Sequence, residues 1–218
     1  MSKLEVREIG PISGETVVRL ADGATAIGFG GGGPSAVKIF ESDGTWTNPG
    51  VSMIMVEVQG GGSSGNRSAT NGIYNAGAGG GYAKKLIDVS SISTATITVG
   101  TGGAELNSNG YGQAGGTSSW ADGTNTLTCT GGAAGGDFSN VQTLGGTGTG
   151  GDINISGQAG GTQITGGGGG DSHLGSGGRK GRTNEPTSPP VGYGAGAGSS
   201  ENVYAAAGGD GVVIVTEY

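Results

Sequence analysis

The chain is poor in most residues that carry chemistry. Its 218 residues include one histidine, one cysteine and 10 lysines plus arginines, and charged residues make up 12% of the total. One cysteine excludes an intrachain disulfide framework and suits synthesis in a reducing compartment. Cys129 stands in TLTCTGG, whose alternation reads as a small buried strand residue rather than a nucleophile. No set of converging metal ligands is spelled out. GTGGDINIS offers only Asp152 and Asn154, where a calcium loop needs a run of alternating oxygens. A net charge of −7 with scattered cations argues against nucleic acid, which requires clustered positive charge. No stretch approaches the ~20 apolar residues of a membrane helix, and MSKLEVREIG lacks an apolar run of signal-peptide length. No cofactor is implied.

What the chain has is glycine, 55 residues of it, with only 6 prolines. Glycine loses the most backbone freedom on ordering, so so rich a chain needs a compensating network of contacts. In the stretch 145–181 glycine fills ten of thirteen positions in one register of three, against four of twelve and three of twelve in the others. An extended helix with three residues per turn places every third residue on one edge. With glycine on that edge, neighbouring segments can approach until their backbones hydrogen-bond. The spacing therefore predicts that 145–181 is ordered, extended and bonded to other glycine-rich segments, such as those within 60–81 and 100–116. Collagen is excluded by the missing prolines and the broken repeat.

The apolar residues have the period of strands. In VSMIMVEVQ, Ile54, Val56 and Val58 alternate with Met53, Met55 and Glu57, which gives one strongly apolar face. YAKKLIDVS, ATITVG and the pair flanking Asp122-Gly123 continue the pattern. DGVVIVTEY reads as a central strand covered on both faces. Phe40, Trp46 and Trp120 are expected in the core, and no helix longer than a turn is expected. The fold class is all-β, with polyglycine-II-like extended segments between the strands. Residues 1–36, with strand-like LEVREI, GETVVRL and ATAIGF, form a separate N-terminal β segment ending in the hinge GFGGGGPSA; residues 37–218 form the glycine-rich domain. The N-terminal part is too short to bury a core alone and is expected to pair with a partner.

Catalysis finds little support. Asp171, Ser172 and His173 are adjacent in sequence, but a triad needs convergence in space. Matches to Gly-x-Gly-x-x-Gly are accidents of composition where no helix follows. No catalytic residue is assigned and no enzyme is expected. The few aromatics that stand amid glycine and asparagine are better candidates for binding: Tyr74, Tyr111 and Tyr193, with Asn107, Asn109 and Arg179 as polar companions. A tyrosine on a loop offers a flat apolar face and a hydrogen-bonding tip at low ordering cost.

The order of blocks FESDGTWTNPGVSMIMVEVQGGGSSG, GAGGGYAKKLIDVS, TITVGTGG, GGTSSW and GGDGVVIVTEY resembles the glycine-rich domain of bacteriophage tail-fibre and tail-tip receptor-binding proteins, over 38–218. The resemblance implies a β-sandwich-like scaffold whose glycine-rich segments end in exposed loops that grip the host. It implies a virion tail fibre assembled in the host cytoplasm, a homotrimer, adhesion without catalysis, and a bacterial surface glycan or outer-membrane protein as receptor. By analogy with fibres generally, residues 1–36 would attach to other virion tail proteins. Two other readings stay open: an antifreeze-like binding protein, which needs a regular array of small residues such as threonine that 145–181 does not offer, and a fibre enzyme cleaving surface polysaccharide, for which Asp137, Asp152, Asp171 and Glu185 are the available carboxylates.

Overall fold

The computed structural model describes residues 33–68, 75–135, 141–162, 167–181, 187–201 and 204–218, with short strand backbone at 11–12, 15–16, 18–19 and 25–26. At the N-terminus β1 (Pro11–Ile12) pairs with β2 (Glu15–Thr16), and β3 (Val18–Arg19) with β4 (Thr25–Ala26). The strand expected over LEVREI and most of the glycine hinge lie outside the described residues. Then follow β5 (Ala36–Phe40), β6 (Gly44–Thr47), β7 (Met53–Gln59), β8 (Arg67–Ser68), β9 (Tyr82–Asp88), β10 (Thr94–Thr98), β11 (Ser118–Ala121), β12 (Thr126–Cys129), β13 (Gly148–Thr149), β14 (Ile153–Ile155), β15 (Gly175–Ser176), β16 (Val191–Gly192), β17 (Ser200–Glu201) and β18 (Val212–Glu217).

Two five-stranded antiparallel sheets form the sandwich. One has the order β13-β12-β11-β10-β6 and the other β14-β9-β7-β18-β5. The alternation read in 53–58 sets the inner face of β7: Ile54, Val56 and Val58 are fully buried, with Met53, Met55 and Glu57 half-buried behind them. Across the interface stand Trp46, Ala95, Ile97, Trp120, Leu127 and Cys129. Trp46 and Trp120 pack ring to ring at 5.4 Å, and each indole reaches a carboxylate. Trp46 Nε1 donates to Glu217 Oε1 at 2.8 Å, and Trp120 Nε1 to Asp122 Oδ2 at 3.1 Å. Buried indoles without an acceptor would forfeit a hydrogen bond on folding, so these contacts matter. Lys38 Nζ, 2.8 Å from Glu217 Oε1, neutralises the buried carboxylate. The expected turn at Asp122-Gly123 joins β11 to β12, with Gly123 at φ +89° and Asp122 Oδ1 accepting the amides of Thr124 and Asn125. Strand β18 is paired on both sides, to β7 and β5. One of its faces is buried, while Ile214 and Thr216 on the other are half-buried, so it is covered less completely than expected.

Beyond the sandwich the chain becomes a lattice of glycine-rich segments. Residues 60–66 run through its centre and are all buried. Gly60, Ser63 and Asn66 donate to Gly81, Ala78 and Asn75, while Gly61, Ser64 and Arg67 donate to Gly116, Gln113 and Gly110. Every third residue thus bonds to the same neighbour, and successive residues address different neighbours, as three residues per turn require. The same step recurs between 76–79 and 158–161, between 130–133 and 144–147, and between 167–170 and 196–199. Gln59, fully buried, stitches the lattice to the sandwich by donating from Nε2 to the carbonyls of Gly80 and Gly81 at 2.9 and 3.0 Å.

The stretch 145–181 is ordered where described and bonded as its spacing predicts. A Cβ at Gly145, Gly157, Gly160 or Gly169 would lie 1.9–2.2 Å from a backbone oxygen. The single register is nevertheless incomplete as a description. Gly146, Gly170 and Gly177, outside it, are equally crowded, at 2.0–2.1 Å, because one segment meets several neighbours. Residues 148–155 also leave the lattice: β13 and β14 turn at Gly150 (φ +81°) and extend one sheet each.

Candidate binding surface

The lattice has two ends. At the sandwich end the segments continue directly as strands. At the other end the chain reverses, and the described residues that flank the reversals are Ser68 and Asn75, Leu106 and Gly110, Gly135 and Val141, Thr162 and Gly167, Gly181 and Thr187, and Glu201 and Tyr204. With a rise of about 3.1 Å per residue, the seven steps from Gly60 to Arg67 place this far end roughly 20 Å from the sandwich.

The reversal at 107–109 is clamped on both sides. Leu106 and Ala205 exchange amide-to-carbonyl bonds at 2.9 and 3.0 Å, and Arg67 and Gly110 do so at 3.0 Å each. The buried Asn66 adds a side-chain clamp, its Oδ1 accepting the Gly112 amide at 2.7 Å. Asn107 and Asn109 are exposed on this loop, and Asn107 Nδ2 donates to Glu105 Oε1 at 3.0 Å. Tyr111 follows, 46% exposed. Glycine positions beneath the loop supply stiffness without side-chain surface, so Tyr111 and the two asparagines account for most of what this corner can offer a ligand. Tyr204, 40% exposed beside Ala205, joins them. The sequence reading passed over Tyr204, although VYAAAGG carries the same signal of a lone aromatic among small residues.

The other expected members are scattered. Tyr74 lies outside the described residues. Arg179 is exposed on the flank of the lattice, where its carbonyl accepts the Ser188 amide. Tyr193 sits at the opposite end, beside the sandwich, with its hydroxyl donating to Glu41 Oε1 and its amide to the Leu174 carbonyl. That bond to Glu41 holds the phenol above its ordinary range. Near it a depression of about 400 Å³ is lined by Glu41, Asp43, Thr101 and Asp210. Its carboxylates are occupied: Asp43 Oδ1 accepts the Val99 amide and Asp210 Oδ1 the Gly102 amide. The depression is a structural joint. Tyr193 and Tyr111 therefore do not form one surface, because 193–200 runs away from the sandwich whereas 110–117 runs toward it.

The would-be triad is also taken apart. Asp171 Oδ1 accepts the Gly177 amide, Ser172 Oγ donates to the Tyr193 carbonyl, and the His173 ring packs on Tyr82 at 4.1 Å. Asp152 Oδ2 accepts the Leu86 amide. Asp137 and Glu185 are outside the described residues.

A family model described as glycine-rich domain matches residues 37–218. The chain belongs to the glycine-rich domain family. The match covers both the sandwich and the lattice, and it carries no link to tail fibres. No curated protein matches the chain.

Proposed function

We propose that this glycine-rich domain protein is a non-catalytic adhesin of a phage tail fibre, binding a bacterial surface glycan or outer-membrane protein through the far end of its lattice. The observation that carries the reading is the end remote from the sandwich, where Tyr111 and Tyr204 stand exposed beside Asn107 and Asn109 on the clamped 107–109 reversal. In this reading the protein works in the virion as a homotrimer, and several weak contacts add through multivalent display. Residues 1–36 join it to other tail proteins. The test is adsorption of purified protein to host cells after Tyr111 and Tyr204 are replaced by alanine. Truncating a true hot spot costs ~2 kcal/mol or more, about 30-fold in affinity. Adsorption unchanged in the folded double variant refutes binding at this end.

One observation favours a second reading. The outer face of the β6-side sheet is almost entirely threonine. Its cross-strand rows are Thr47 with Thr94, then Thr45, Thr96, Ala121 and Thr126, then Thr98, Ser119, Thr128 and Thr149. Such an array, with repeats of ~4.8 Å across strands and ~6.8 Å along them, is the regular small-residue face that 145–181 did not provide for ice binding. Threonine also suits any solvated sheet face by propensity. Ice-growth inhibition abolished by Thr96→Tyr would decide for the second reading, and no inhibition by the parent protein would remove it.

A further inference from the structure

The opposite face of the sandwich is built differently. On the β14-β9-β7-β18-β5 sheet the outward rows are Ile153, Lys84, Glu57, Ile214 and Ile39, and beside them Leu86, Met55, Thr216 and Val37. Val37, Ile39, Leu86 and Ile153 are 56%, 57%, 47% and 51% exposed. The one charged pair in these rows, Lys84 Nζ to Glu57 Oε1 at 3.3 Å, is neutralised within the face. One sandwich thus presents threonine on one side and, on the other, a largely apolar face interrupted by a single ion pair and one threonine. A face evolved only for water would not carry that difference, and a large exposed apolar patch marks a surface that is covered in the working protein.

We infer that the cover is the chain's own N-terminal segment, residues 1–32. Three observations select it. The segment enters the molecule beside this face: the Ser35 amide donates to the Glu217 carbonyl at 2.7 Å, continuing the ladder of edge strand β5 toward the N-terminus. Its sequence supplies apolar residues at strand spacing, among them Leu4, Val6, Ile12, Val18 and Leu20. Its described pairings, β1-β2 and β3-β4, are two-stranded, and a two-stranded sheet needs a further strand or a packed face for stability in water. The size of the face argues the same way. Five strands at ~4.8 Å and about five residues at ~3.4 Å give a footprint of about 400 Å², roughly half of the ~800 Å² per partner of a standard stable complex. A free second copy would hold weakly there, whereas a tethered segment acts at millimolar effective concentration or above. Thirty-two residues at ~3.3 Å each span the face several times over. The inference is independent of host binding at the far end of the lattice, and it leaves residues 1–32 to join other tail proteins only through the side turned away from the sheet.

Trypsin cleavage after Arg19 in the full-length protein tests it, with light scattering to report the number of copies. The parent should be cut there at least tenfold more slowly than the urea-unfolded chain. Ile39→Asp and Leu86→Asp, on different strands of the same face, should each restore fast cleavage while the sandwich keeps its melting temperature. Thr96→Asp, on the threonine face, should leave cleavage slow. Fast cleavage of the parent overturns the inference, whatever the variants do. So does dissociation of an oligomer by Ile39→Asp with cleavage at Arg19 unchanged, which would give the face to a second copy instead.

Discussion

Replacing Gly77 by alanine adds one methyl group to the centre of the lattice. That methyl carbon would sit 1.9 Å from the Ser63 carbonyl oxygen and 3.0 Å from the Ala197 nitrogen, both backbone atoms that no rotamer change can move away. The segments at 60–66 and 193–200 must therefore withdraw by more than an ångström. That movement breaks or stretches the bonds from Gly77 to Ala197 (2.7 Å) and from Ser63 to Ala78 (3.0 Å). Two or three lost bonds at about 1 kcal/mol each, with about 1–3 kcal/mol for overpacking, sum to about 3–6 kcal/mol. For a domain of this size about 1 kcal/mol corresponds to ~2–4 °C, so the melting midpoint should fall by about 6–24 °C in a thermal scan. Ala76 and Ala78 flank the site fully buried, so side-chain chemistry is not the obstacle; position is. Gly110→Ala is the internal control, with nothing within 4 Å of its added carbon, and it should be neutral or slightly stabilising. Equal melting of the two variants would refute the claim that backbone contact through glycine holds the lattice.

Other outcomes follow from particular residues. Gly160→Val and Gly169→Val should each destabilise strongly by melting temperature, since their added carbons meet backbone oxygens at 2.2 and 2.0 Å, whereas Thr162→Val should be milder. Burial pushes the Cys129 thiol up from 9.0 to about 12. The unfolded thiol ionises first, so stability falls as pH rises from about 9 to about 12. Urea midpoints measured across that range should drop less steeply in Cys129→Ala. At Asp122 desolvation raises the carboxyl, but bonds from the Asn125 and Thr124 amides and from Trp120 outweigh it and leave the group below its ordinary value. Its contribution is present above the unfolded value of 3.8 and is lost as pH falls through the lower folded one. Asp122→Ala should cost about 1 kcal/mol at neutral pH by urea denaturation, and less in acid.

Much of the sandwich was legible because apolar side chains carry its code. The alternation in 53–58, the Asp122-Gly123 turn and the two tryptophans each had one sensible placement. The lattice was legible only as a period. Its contacts are backbone to backbone, and glycine looks the same to every neighbour, so the sequence states that segments pack every third residue without stating which segments. The candidate site suffered from the same blindness. Tyr111 and Tyr193 have near-identical settings, NGYGQAGG and VGYGAGAG, yet stand at opposite ends of the lattice. What separates them is the direction of each segment, which follows from counting reversals back to a strand: 110–117 leads into β11 of the sandwich, whereas 193–200 follows β16, outside both sandwich sheets, and leads away from the sandwich. Tyr204 was missed although it obeys the rule that singled out the others. The contrast between the two outer faces needed cross-strand register, which the sequence does not print.

The most direct test of the adhesin account is adsorption of fluorescently labelled protein to a panel of bacterial strains, comparing the parent with a variant carrying Asn107→Ala, Asn109→Ala, Tyr111→Ala and Tyr204→Ala. The account predicts that the parent adsorbs saturably to at least one strain, and that the variant, with an unchanged melting temperature, loses that adsorption by 30-fold or more. Saturable adsorption that survives all four substitutions in a folded protein would contradict it.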